Sequence, residues 1–159
     1  MGDEALVRIR AMSVGDVGCV LEIAGSLPHA PQWPESAYLA AMDSQGTRRR
    51  IALVAENGEG GVVGFLVASV LAPEAELETV AVAIDAQRVG IGGRLMEALA
   101  VELRGSQVSE LNLEVRASNL AAVGLYRARG FAECGRRKRY YADPEEDAVL
   151  MRMALSEAG

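Results

Sequence analysis

Gln87-Arg88-Val89-Gly90-Ile91-Gly92-Gly93-Arg94 follows the apolar run Val80–Ile84 and opens an amphipathic stretch from Ile91 to Arg104. A strand stops here, the chain turns through closely spaced glycines, and a helix begins. A helix start presents amide N–H groups without partners and the positive end of the helix dipole. That pairing takes phosphate or pyrophosphate without a cationic side chain. Gly90, Gly92 and Gly93 remove the Cβ atoms that would hold an anion off. A dinucleotide fingerprint needs a third glycine where Leu95 stands, and a P-loop needs Gly-Lys-Ser/Thr, which is absent. Alone, the turn reads equally well as a glycine-softened connection between strand and helix.

Around this turn the chain has the dimensions of one domain, residues 1–159, with enough sequence for a proper core. Apolar residues make up 50% and charged residues 24%, the balance of an ordinary soluble globular chain. No apolar run approaches the roughly 18 residues of a membrane helix. Asp3 and Glu4 precede any apolar stretch, unlike a signal peptide, so a cytoplasmic location and no membrane partner are expected. Cys19 and Cys134 form no C-x-x-C pair and are expected inside the protein. With His29 the only histidine, no metal site is expected and a Ser/His triad has little to work with. Sixteen Lys and Arg against 22 Asp and Glu give a charge of −6. That balance argues against nucleic acid and mildly favours a cationic partner such as an amine or basic peptide.

Periodicity gives the element order. Leu6–Met12 alternates as an edge strand does, and Ser13 or Asp16 caps a helix that Gly25 ends. Ser26–Pro34 holds three prolines and the only tryptophan, a structured loop before a short helix at Glu35–Asp43. Arg50–Glu56, the Asn57-Gly58 turn, Val62–Leu71 and Ala75–Ile84 form a three-strand meander. In the next helix Ile91, Leu95, Leu99 and Leu103 make the buried stripe, with Glu102 on the apolar side. Val108–Arg116 is a strand with Leu111, Leu113 and Val115 on one face and Asn112, Glu114 and Arg116 on the other. A helix over Asn119–Arg129 ends at Gly130, and Phe131–Tyr140 with Ala148–Leu155 closes as a hairpin around the acidic loop Asp143–Asp147. The order predicts an α/β domain with a central mixed sheet flanked by helices.

A more specific signal lies downstream: Leu113-Glu114-Val115-Arg116-Ala117-Ser118-Asn119, Leu125-Tyr126, Gly130-Phe131, Tyr140-Tyr141, Glu146-Asp147-Ala148 and Met151. Together with Gln87-x-x-Gly90-x-Gly92, these resemble the RimI-type ribosomal-protein alanine N-acetyltransferases of the GNAT superfamily. The likeness runs from about Leu77 to Met153, with a weaker match at Trp33-Pro34-Glu35. It implies the GNAT acyl-CoA N-acyltransferase fold, acetyl-CoA as cofactor, and transfer of acetyl to the α-amine of a protein N-terminus. The acceptor implied is an alanine of a small-subunit ribosomal protein, and a monomer or weak dimer is expected.

The chemistry is acetyl transfer from a thioester to a neutral amine. An α-amine, pKa about 8 against about 10.4 for lysine, is the easier to deprotonate near neutrality. The resemblance makes Glu114 the general base and Tyr126, twelve positions on, the general acid; a carboxylate and a protonated phenol suit those tasks. It gives Val80, Ala81 and Val82 main-chain contacts to the pantetheine arm. Gln87 completes the signature, and Arg88, Val89, Gly90, Ile91, Gly92 and Gly93 cradle the pyrophosphate. Asn119 contacts the cofactor arm or simply caps its helix. Trp33 stands for the acceptor loop or a core plug, and Tyr140 with Tyr141 for a lid over the peptide. Arg136-Arg137-Lys138-Arg139 reads as a solvated edge-strand run with no role. Ile84 and Ala86 depart from the family pattern, which has proline and an aromatic there. No cysteine accompanies the motif as an acyl carrier, so direct attack in a ternary complex is expected. Two alternatives remain: an acetyltransferase for a small amine (a polyamine or aminoglycoside) and a non-catalytic acyl-CoA-binding module.

Overall fold

Alternation in sequence becomes a two-faced strand most clearly at β5, Glu110–Arg116, where Leu111, Leu113 and Val115 are buried and the residues between them only partly so. The computed structural model describes residues 7–28, 30–43, 49–142 and 144–155. His29, Leu6, Asp143 and the N-terminal acidic pair lie outside them. The remaining strands are β1 (Arg8–Ala11), β2 (Arg49–Glu56), β3 (Val62–Leu71), β4 (Glu74–Val82), β6 (Ala132–Tyr141) and β7 (Glu146–Ala154). All seven form one sheet in the order β1-β2-β3-β4-β5-β7-β6. Only β4 and β5 run parallel, as the helix between them requires. The half-exposed β1 and the arginine-rich β6 occupy the two edges.

Helices cover both faces. α3 (Ile91–Arg104) and α4 (Leu120–Ala128) pack on one, around Leu66, Leu77, Leu113 and Met151. α1 (Val17–Gly25) and α2 (Glu35–Ala41) pack on the other, around Phe65, Val67 and Tyr38. The α3 stripe is nearly closed to solvent, with Ile91 3% and Leu95, Leu99 and Leu103 0% exposed. Burial at this level is worth about 2 kcal/mol per leucine. Glu102 is exposed, not on the apolar side, because the helix turns that position past the stripe. Both cysteines also lie outside, contrary to expectation. α1 turns Val17, Val20, Ile23 and Ala24 inward and Cys19 outward, while Cys134 rides on the edge strand. Among the described residues no helix is long and apolar enough to cross a membrane.

One irregularity opens the sheet. Val67 pairs with Thr79 but Ala68 pairs with Leu77, leaving Glu78 as an extra residue in β4. Such a bulge bends its strand and increases the local twist. It also exchanges the faces. Ala75 and Leu77 point into the α3 cluster, whereas beyond the bulge Ala81 points into the α1–α2 cluster. Arg50 on β2 holds the bulged carboxylate with two hydrogen bonds of 3.1 and 2.9 Å. Pairing of β4 with β5 stops at Glu76↔Asn112. Past it the strands part, and residues 77–82 keep a sheet partner on one side only.

Candidate active site

The parted strands frame a cleft of about 1060 Å³. Its walls come from Leu77–Val82 on β4, Leu113–Arg116 on β5, the turn into α3, α4, and the segment between α1 and α2. It therefore reaches elements on both faces of the sheet. At one end the glycine turn is as tight as expected. Gly90 is left-handed at φ 86°, and Arg88 takes φ 69°, unusual for a side-chain-bearing residue. Gln87 Nε2 donates to the Val82 carbonyl at 2.9 Å and fixes the turn to the end of β4. The positive φ values flanking Val89 turn its side chain away from the cleft. It lines a separate cavity of about 290 Å³ with Val7, Val63 and Ile91, so only its main chain is available to the turn.

Gly93 is glycine for a reason the sequence did not reveal. A Cβ there would collide with the guanidinium of Arg129. Arg129, just past the end of α4, thus lies against the first turn of α3. Both it and Arg88 line the cleft, and neither has an ion-pair partner among the described residues. An acidic chain places two uncompensated cations beside the free amides of a helix start. Together with the unpartnered edge of β4, this suits a diphosphate on a long polar arm.

The same cleft holds the two proposed reacting groups. Glu114 lines the cleft from the polar face of β5, and Tyr126 lines it from α4, its ring edge-on to Phe131 at 5.7 Å. Burial, with Tyr141 nearby, pushes the Tyr126 phenol up to about 12, so it stays protonated at any working pH. Asn119 caps α4, its Oδ1 accepting from Ala122 N at 3.2 Å, and also lines the cleft. Val80, Ala81, Val82, Arg88, Ile91 and Gly92 do so as well.

The acceptor-side residues divide. Tyr141 lines the cleft beneath the Arg116 guanidinium, which stands 4.4 Å from its ring centre. Arg116 in turn meets Glu146 at 3.3 Å, and Glu146 accepts from Ser118 N at 2.6 Å. That anchors the start of the α4 connection to β7. The Ser118 and Arg116 bonds hold the Glu146 carboxyl below its ordinary range. Tyr140, 49% exposed, packs on Tyr141 with ring centres 5.1 Å apart. Its phenol is raised, chiefly by the neighbouring Glu114 carboxylate. Trp33 is not on the cleft wall. It packs 5.1 Å from Tyr38 in the α1–α2 cluster, because the proline-rich loop folds the indole back onto that helix pair. Arg137, read from the sequence as a solvated cation, lies with Nε 3.3 Å from Glu114 Oε1.

Residues 21–131 match the family described as Acetyltransferase (GNAT). The [ribosomal protein bS18]-alanine N-acetyltransferase of Escherichia coli K12 is 39% identical over 130 residues, 80% of this chain and 84% of the relative. Among solved structures, the ribosomal-protein-S18-alanine N-acetyltransferase of Escherichia coli superposes with a TM-score of 0.83 at 34% identity, covering 96% of both chains. Naa20 of Chaetomium thermophilum, solved in complex with a bisubstrate analogue, superposes with a TM-score of 0.81 at 25% identity, covering 93% of this chain and 86% of the other.

Proposed function

Because the chain belongs to the acetyltransferase (GNAT) family, we propose that it acetylates the N-terminal α-amine of a protein, an alanine of a small-subunit ribosomal protein. It is an acetyl-CoA-dependent N-acetyltransferase. The observation that carries the α-amine reading is the meeting of Glu114, Tyr126 and the glycine turn in one cleft.

Bound acetyl-CoA supplies the acetyl thioester. Arg88–Gly93 offer their amides to its diphosphate, with Arg88 and Arg129 adding charge. Val80–Val82 offer the unpartnered main chain of β4 to the pantetheine arm, and their N–H groups can stabilise charge on a carbonyl oxygen. Asn119 contributes the amide nitrogen left over from its cap. Glu114 takes a proton from the incoming ammonium, directly or through a water. Tyr126 gives its proton to the departing thiolate. Tyr141 forms the floor under the acceptor and Tyr140 its cover, while Trp33 acts at one remove by fixing the loop over residues 27–34. Access from both faces of the sheet favours direct transfer, since donor and acceptor occupy the cleft together without an acyl-enzyme.

The test is acetylation of a peptide array by the purified protein, with mass spectrometry locating the acetyl group. Acetyl on the α-amine of alanine-initiated peptides is expected. Acetyl found only on lysine side chains overturns the reading, and preference for spermidine over a basic N-terminal peptide favours a small-amine enzyme instead.

A further inference from the structure

Glu114 is not a bare carboxylate awaiting an amine. Arg137 Nε sits 3.3 Å from its Oε1. The Arg137 guanidinium also stands 5.3 Å from the centre of the Tyr140 ring, so the three side chains form one assembly. Sheet register explains how an edge strand reaches the cleft. Glu114 pairs with Leu150, and Leu150 with Gly135. In the next row Arg116 pairs with Ala148, and Ala148 with Arg137. Arg137 therefore shares the face of Glu114, one row over, and Gly135 and Ala148 leave it a low path. Beyond Arg137, regular pairing lapses until Tyr141↔Glu146. Lys138–Tyr140 arches out, with Arg139 left-handed at φ 53° and its N–H held by Asp147 at 3.0 Å. Tyr140, at the end of the arch, packs against Arg137.

This arrangement rests on the reading of Glu114 as base, and it has a consequence that reading does not contain. A carboxylate beside a thioester can orient water as readily as an amine. We propose that Arg137, backed by the Tyr140 ring, is a positioning residue that occupies the Glu114 carboxylate until an acceptor ammonium takes its place, and so suppresses hydrolysis of acetyl-CoA. The suppressed reaction is balanced. Water adds to the thioester carbonyl, its proton passes to Glu114, the C–S bond breaks, and the thiolate takes a proton from Tyr126, giving acetate and free thiol. The Arg137 side chain is 57% exposed, and ion pairs this open are weak. Exchanging guanidinium for ammonium therefore costs little, whereas neutral water offers no charge in return.

The experiment measures thiol release from acetyl-CoA with and without an alanine-initiated peptide. Arg137→Met is expected to raise release without peptide several-fold and to raise the ratio of hydrolysis to transfer. Arg137→Lys restores the low ratio, and Glu114→Gln in the Arg137→Met background abolishes the gain. A structural role alone would lower both reactions together. Unchanged hydrolysis in Arg137→Met, or an equal rise with Glu114→Gln present, overturns the proposal. If Arg137→Met does not fold, Arg137→Gln, which also removes the charge facing Glu114, is read in its place, and no rise in the ratio there has the same force. Wild-type transfer to peptide reports separately on the preceding reading.

Discussion

Arg10 and Asp16 form a two-pronged ion pair, each terminal nitrogen of the guanidinium 2.8 Å from a different carboxylate oxygen. The pair ties the edge strand β1 to the entry of α1. The Asp16 side chain is only 9% exposed, and Ser13 N and Oγ add donors at 2.7 and 3.0 Å. Arg10, aided by Ser13, holds the Asp16 carboxyl down to about 2 from an ordinary 3.8. The folded protein thus binds this proton less readily than the unfolded chain. The stabilisation is full above pH 4 and is lost as pH falls toward 2; a shift of this size is on the order of 2 kcal/mol. Asp16→Asn should lose about that amount at neutral pH in denaturant unfolding, and its stability should vary less between about pH 4 and 2.

Gly93→Ala should separate folding from cofactor binding. The new methyl collides with the Arg129 guanidinium, the far end of a flexible, exposed side chain. The fold should therefore hold, helped by up to about 1 kcal/mol of helix propensity. Displacing one cation from the turn should weaken coenzyme A about tenfold in calorimetry. An unchanged affinity would show that Arg129 does not reach the diphosphate.

Glu114→Gln and Tyr126→Phe should each lower turnover by about 10²–10⁴-fold and leave coenzyme A affinity nearly unchanged. For Tyr126 the pH profile adds a check. Its phenol, pushed up to about 12 by burial, stays protonated throughout the assay range. Any alkaline loss of rate below pH 11 must come from another group and should persist in Tyr126→Phe.

Trp33→Phe should act on stability. The indole packs on Tyr38, whose ring also meets Phe65 at 5.8 Å. A smaller ring should cost roughly 1 kcal/mol in thermal unfolding, with peptide KM within about twofold. A tenfold rise in KM at unchanged stability would return Trp33 to the acceptor site.

The order of helices and strands was legible because the periods were clean. Ile91–Arg104 and Val62–Leu71 have the bounds the pattern implies, and β5 begins two residues later than expected. Gly130 has the left-handed φ its place after a helix implies, 104°. What escaped reading depends on contacts between distant segments. Nothing local marks Glu78 as an extra residue, since the bulge exists only relative to β3. The run Arg136–Arg139 reads as uniformly solvated, yet register puts Arg137 on Glu114 while Arg136 meets Glu133. Arg129 likewise gains meaning only from the glycine beneath it. The proposed roles of Glu114 and Tyr126 rest on resemblance, not on spacing.

The single inserted residue in β4 has an evolutionary corollary. Because it leaves an opening reached from both sides, the proposed nucleotide half and acceptor half are built from different segments of chain. On that reading, residues 30–34 and 138–141 would be free to change with the amine while the turn and its two arginines stay as they are. On the proposed reading, donor and acceptor specificity would change independently because one misfit in strand pairing opens the cleft.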